Sequence, residues 1–123
     1  MTGSGERPAV LVYRHRGAPA PALHEICAGA EEEGVPTAVV DVPDGGEAQD
    51  ATALAHAAAR ASALEVGIGL DVSGAAAVHH GKLPERSPAA TTGPDASTAD
   101  WRRAGRIGAR MVKGLPLTEG PRP

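Results

Sequence analysis

The chain has 123 residues with no Phe, one Trp (Trp101), one Tyr (Tyr13), one Cys (Cys27) and a net charge of −3. That is enough chain for one domain. The lone cysteine excludes an internal disulfide or a multi-cysteine zinc site, the acidic balance gives nucleic acid no footing, and no apolar run approaches the ~20 residues of a membrane span.

The polar start, "MTGSGERPAV", lacks an apolar signal segment, so a soluble, cytoplasmic protein is expected. With almost no aromatic residues, Ala, Val, Leu and Ile must fill the core. Burial stabilises by about 25 cal/mol per Å² of apolar surface. Alanine offers little area, so the layers should approach closely and the hydrophobic margin should be small enough for a partner chain to matter.

"PAVLVYR", Pro8 to Arg14, is a short β-branched run and predicts a buried first strand. After the loop "HRGAPAPA" a helix is predicted from Pro21, with Leu23, Ile26, Cys27 and Ala30 spaced to face inward. Gly34 is its expected left-handed cap, and Pro36 prevents continuation. "TAVVDV", Thr37 to Val42, is a second strand, followed by the turn "PDGGEAQD". A second helix is predicted from about Glu47 to Ser62, with Ala51, Leu54, Ala55 and Ala58 inward. "LEVGIGLD", Leu64 to Asp71, is a third strand whose glycines allow a helix to pack close; "AAAVHH", Ala75 to His80, is a fourth, antiparallel to it. "AATT" offers a short edge strand.

The last helix has the plainest signals. Ser97 and Asp100 have capping-box spacing; Trp101, Ala104, Gly108, Met111 and Leu115 form a rough apolar stripe; Lys113 and Gly114 end it in the usual way. The β-α-β-α-β-β-(β)-α order predicts a single three-layer α/β/α domain over residues 8–117. Its sheet should be mostly parallel and partly mixed, with four or five strands. Residues 1–7 and 118–123 are expected to be flexible.

Against that ordinary helix end, "AGAEEEGVP", Ala28 to Pro36, is anomalous. Glu31, Glu32 and Glu33 lie where a helix already carries about half a unit of negative charge, which costs roughly 0.3–1 kcal/mol per acidic side chain. One reading is a solvated, charged helix end; the other is a carboxylate held for a cation or a basic partner. Successive helical residues point about 100° apart, so the three cannot share a site. Glu31, four residues after Cys27, is expected to lean inward, and Glu32, after Glu25 and Ala28, to lie on a more polar face. Mg²⁺ often takes only one or two protein carboxylates, so the remaining ligands would come from another chain, and the acidic end is expected to become tolerable only once a neighbouring polypeptide supplies a cation to meet it.

Arg102, Arg106 and Arg110 form one basic stripe, read either as a solvated face or as a contact for an acidic partner surface. His79 and His80 point to opposite faces of a strand and cannot chelate one metal from one side. Asp71, at a strand end, reads as a turn aspartate or as the acceptor of a phospho-receiver domain. The latter would want an acidic pair where this chain has the basic "YRHRG". No nucleotide loop and no positioned serine nucleophile is found. The residues point to no catalytic and no cofactor-binding residue, and so to a binding or assembly role.

Four blocks, "AGAEEEGVP", "LEVGIGLD", "AAAVHHGKLP" and "RIGARMVKGLPL", give a resemblance that spans Ala9 to Leu117. Together they resemble the small subunit of the reactivating factor for coenzyme-B12-dependent diol and glycerol dehydratases, which is itself similar to the dehydratase medium subunit. The resemblance implies a non-catalytic chain that works by subunit exchange. A large, chaperone-like ATPase subunit, which binds ATP or ADP, would release this chain and take the dehydratase's medium subunit, letting damaged cobalamin leave. It implies a heterotetramer with the large subunit, transient contact with the dehydratase, no membrane or nucleic-acid partner, and a cytoplasmic or microcompartment location. It also implies that Glu32 is a ligand to a Mg²⁺ ion shared with the large subunit. Two departures stand out: "RHRGAPAPA" is unusually basic and proline-rich, and "ERSPAATTGPDAS" is Ala/Thr-rich. A medium-type subunit of the dehydratase itself, or a small receiver-like α/β domain, are the rival readings.

Overall fold

The computed structural model describes residues 8–43 and 50–114. Expectations for residues 1–7, 44–49 and 115–123, including the flexible ends and the inward place of Leu115, lie outside the described residues. Along the chain come β1 (Val10–His15), α1 (Ala20–Glu32), β2 (Thr37–Val42), α2 (Ala51–Ala61), β3 (Val66–Leu70), β4 (Ala76–His80), β5 (Ala90–Thr91) and α3 (Thr98–Lys113). The sheet runs β2-β1-β3-β4-β5. β1 is parallel to β2 and β3, while β4 is antiparallel to β3 and β5. This is the predicted mixed α/β sheet, and the short fifth strand forms.

The layering follows from β3, "VGIGL". Side chains alternate across a strand, so Val66, Ile68 and Leu70 all enter one face and Gly67 and Gly69 the other. The large side chains join Val10, Val12, Ile26 and Ile107 in the main core under α1 and α3. On the opposite face α2 lies directly on the glycines. A Cβ at Gly67 would land on the Ala59 nitrogen, and one at Gly69 on the Ala51 oxygen. An alanine-rich helix (Ala51, Leu54, Ala55, Ala58 and Ala59 buried) can sit that close. This is how a core almost without aromatics closes: dispersion contacts come from backbone proximity rather than side-chain bulk.

Local signals set most boundaries. Asp50 accepts from Ala53 N–H at 2.8 Å and starts α2 at Ala51, later than the predicted Glu47. The Ser97–Asp100 capping box is formed in both directions, at 3.1 and 3.0 Å. Gly34 and Gly114 have φ of +79° and +71°, the left-handed conformation the sequence assigns them. β3 is shorter than predicted because Glu65 takes φ +63° and bends the chain into it.

Both α1 and α3 are rotated from their predicted stripes. α1 buries Ala22, Ile26, Gly29 and Ala30, leaving Leu23 and Cys27 only half-buried. α3 buries Ala104, Gly105, Ile107, Gly108 and Ala109, with Trp101 and Met111 half-buried. One contact explains both. A Cβ at Gly29 would fall on the Arg102 carbonyl oxygen, and one at Gly105 on the Ile26 carbonyl oxygen. The two helices cross backbone to backbone. The smallest residues must occupy that crossing, and the larger Leu23 and Cys27 are turned towards its rim.

Candidate functional site

The crossing of α1 and α3 places the two charge anomalies of the sequence against each other. Glu25 and Glu32 are seven residues apart, two turns along one face of α1, and Arg102 reaches both. Its Nε donates to Glu25 Oε1 at 2.8 Å and its Nη1 to Glu32 Oε2 at 2.5 Å. Arg106 Nη1 donates to the other Glu32 oxygen at 3.2 Å. Further along, Arg110 Nη1 donates to Glu33 Oε2 at 3.2 Å, and Lys113 Nζ to the Glu33 carbonyl oxygen at 2.7 Å.

The acidic helix end is therefore offset within the chain. Lys113 satisfies a carbonyl that the helix geometry leaves unpaired, and its charge opposes the negative pole of α1. The acidic surface that the arginine stripe calls for is, first of all, α1 of the same molecule. This corrects the expectation that only a neighbouring polypeptide's cation could offset the acidic end. Glu31 departs from its expected inward lean: it is exposed, on the wall of an open groove with Leu23, His24 and Cys27. The rotation of α1 that turns Cys27 outward carries Glu31 with it.

Of the three glutamates paired with α3, Glu32 is the most exposed, its side chain 45% accessible against 20% for Glu25 and 17% for Glu33. Its carboxyl is held below the ordinary value of 4.5, chiefly by the hydrogen bond from Arg102; desolvation opposes this, and the hydrogen bond from Arg106 adds a smaller lowering. The Arg102 guanidinium is correspondingly raised by Glu25 and Glu32. A lowered carboxyl favours folding where it is ionised. The Glu32 contribution is therefore fully present above about pH 4.5 and is lost as the pH falls through its lower folded value. In urea unfolding from pH 6 down to 3, the wild-type chain should lose more stability than Glu32→Gln does. Parallel pH profiles for the two would contradict the assignment.

Glu32 fits a cation as one ligand only. Each carboxylate oxygen gives one lone pair to a guanidinium and keeps another. No cluster of three or more His, Cys, Asp or Glu able to hold an ion exists among the described residues. An open recess of about 290 Å³, lined by Glu25, Thr98, Ala99, Arg102 and Arg106, lies beside it.

The other singled-out residues have structural partners. Asp71 Oδ1 accepts from Ser73 N–H (2.9 Å), the Ser73 hydroxyl (2.6 Å) and Ala75 N–H (3.1 Å), which makes it a turn aspartate. That turn packs beneath Pro19 and Trp101, whose Nε1–H donates to the Gly74 carbonyl at 2.8 Å. His79 is fully buried and His80 partly so, on opposite faces. With its proton on Nε2, His79 donates to the Glu85 carbonyl at 2.9 Å and accepts from His80 N–H at 3.1 Å, tying down the loop after β4. Ser62 donates to the Ala9 carbonyl at 2.8 Å. No helix among the described residues is long and apolar enough to cross a membrane.

Sequence reasoning missed the role of Glu25 and the pairing of Glu33 with Arg110 and Lys113. The signal was present as complementary spacing: acids seven apart on one helix, bases four apart on another. Only the crossing shows that the two rows meet.

Comparison with known proteins matches residues 7–118 to the family described as dehydratase medium subunit. A Citrobacter freundii chain named a probable glycerol dehydratase-reactivating factor small subunit is 37% identical over 109 residues, 89% of this chain and 91% of that one. A solved structure of a glycerol dehydratase reactivase is 40% identical with a TM-score of 0.83, covering 92% of this chain and 98% of that chain. A diol dehydratase-reactivating factor complexed with ADP and Mg²⁺ is 32% identical with a TM-score of 0.80, covering 93% and 100%.

Proposed function

The chain belongs to the dehydratase medium-subunit family, among the small subunits of diol and glycerol dehydratase-reactivating factors, and from that premise we propose that it is the exchangeable, non-catalytic subunit of such a factor. A large ATPase subunit is its partner and binds the nucleotide. Release of this chain frees that subunit to take the medium subunit of a B12-dependent dehydratase, which opens the dehydratase so that damaged cobalamin can leave. The single observation that carries the reading is the end-to-end match. This chain's fold covers 98% of a glycerol dehydratase reactivase chain and 100% of a diol dehydratase-reactivating factor chain at TM-scores of 0.83 and 0.80, which supports a place in such a factor.

Within that reading Glu32 is this chain's ligand to a Mg²⁺ ion shared with the large subunit. The ion would supply a positive charge common to both chains, making their affinity sensitive to the metal. The support is local. Glu32 is half-exposed at the end of α1, is kept ionised by Arg102, and has acceptor capacity beyond its two guanidinium contacts. The chain's own contribution is positional: the close α1–α3 crossing fixes the carboxylate relative to the fold.

The test is capture of the large subunit on the tagged chain, with and without Mg²⁺. Wild type should retain a large ATPase subunit. Glu32→Ala should weaken retention about tenfold in Mg²⁺, equivalent to losing about 1.4 kcal/mol of binding, and wild type in EDTA should behave like the mutant. If Glu32→Ala binds as tightly as wild type in both conditions, the metal role is wrong. If the tagged chain captures dehydratase catalytic subunits in a stable complex instead, the chain is a medium-type subunit.

A further inference from the structure

Glu32 is claimed from inside the chain before any partner arrives. We propose that Arg102 and Arg106 act as built-in rivals of the shared cation, setting the metal concentration at which this subunit docks; the proposal rests on the reading of Glu32 as a ligand at the subunit boundary. The two guanidiniums divide the carboxylate between them, Arg102 on Oε2 at 2.5 Å and Arg106 on Oε1 at 3.2 Å. Neither oxygen faces a cation-free surrounding. Both guanidiniums stay charged at every physiological pH, so an ion approaching Glu32 always meets two like charges at close range.

Arg102 cannot easily withdraw. Arg102 is fastened on its far side to Glu25, with both Nε and Nη2 at 2.8 Å from Oε1. Its own backbone carbonyl is the one pressed against Gly29, one turn before Glu32. The helix crossing that orders Glu32 therefore also holds a positive charge beside it. Two opposing effects follow. The guanidiniums orient the carboxylate, which favours a ligand; their charge repels the incoming ion, which disfavours it. Repulsion should win, because a divalent ion a few ångströms from a fixed guanidinium feels twice the interaction of a unit pair, while orientation saves only the rotamer freedom of one partly exposed glutamate. After screening at a half-exposed site, each arginine should raise the metal requirement about 3- to 10-fold.

For a subunit that must leave as well as bind, this is a useful arrangement. When the ion is lost, the arginines are already on both oxygens and the bare carboxylate is not stranded. Separation of the subunits is thereby eased without any change in fold.

The experiment titrates Mg²⁺ at fixed ionic strength into the small and large subunits and follows complex formation by surface plasmon resonance. Arg106→Gln should lower the half-maximal Mg²⁺ concentration about 3- to 10-fold, and Arg102→Gln with Arg106→Gln should lower it further. Arg106→Lys, which keeps the charge, should stay near wild type. An unchanged or raised midpoint in Arg106→Gln overturns the proposal, as does a Lys variant that behaves like Gln. The underlying metal reading fails separately, if Glu32→Gln keeps the wild-type Mg²⁺ midpoint.

Discussion

Gly105→Ala should unfold at markedly lower urea than wild type, with a loss of about 2–3 kcal/mol, although the substitution ought to help an isolated helix. Replacing glycine with alanine inside a helix favours it by about 0.8–1 kcal/mol. Here the new Cβ would fall on the Ile26 carbonyl oxygen, a backbone atom that no rotamer change can move. α1 and α3 would have to separate, opening the core around Ile26 and Ile107, and overpacking of this kind costs roughly 1–3 kcal/mol or more. The crossing is backbone on backbone, so the upper end applies and the clash outweighs the propensity gain. Gly108→Ala on the same helix is the control. Its Cβ would meet side-chain atoms alone, the one tight contact being the Ile68 Cδ1 tip at 3.1 Å, with Ile68 Cγ1 at 3.5 Å and Val78 Cγ1 at 3.7 Å; that tip can shift, and stability should change by less than about 1 kcal/mol. Urea melts of the three chains decide it. Equal midpoints for Gly105→Ala and Gly108→Ala would mean that the helices are not held at the distance described. The same separation would pull Glu32 from Arg102 and Arg106.

The second large effect comes from removing bulk. Ile68→Ala should cost about 3–4 kcal/mol. Ile68 is fully buried on the sheet's central strand and lies beneath Gly108 of α3. The cost of a large-to-small change depends on how far the surroundings can collapse into the space. Its cross-strand partners are Val12 and Val78 and Gly108 lies over it, none of which has length to swing inward. Domains have only about 5–15 kcal/mol in total, so this one substitution should remove a large fraction, whereas Ile68→Val should cost about 1 kcal/mol. Urea unfolding measures both; a loss under about 1.5 kcal/mol for Ile68→Ala would show a core that repacks freely.

Capping, turn chemistry and strand alternation act over a few residues, and they were readable directly. Ser97 with Asp100, Gly34 and Gly114 mark helix ends in the sequence and do so in the fold, and "VGIGL" announces both a large-residue face and a glycine face. The four blocks of resemblance likewise identify the family. Where the sequence misplaced something, the apolar pattern was weak. In α1, Leu23 and Cys27 are more apolar than Ala22 and Gly29, so a reading by hydrophobicity turns the helix the wrong way.

By itself, then, the sequence determined the order and type of the elements, the mixed α/β class and the oddity of three glutamates at a helix end, because each depends on contacts within a turn or a strand. The tertiary structure alone decided which face of α1 is buried and what answers those glutamates. Closeness of backbones, which favours the smallest side chains over the most apolar ones, sets the first. The second is set by residues some seventy positions away, Arg102 and Arg106 among them, which no local pattern could bring to Glu32.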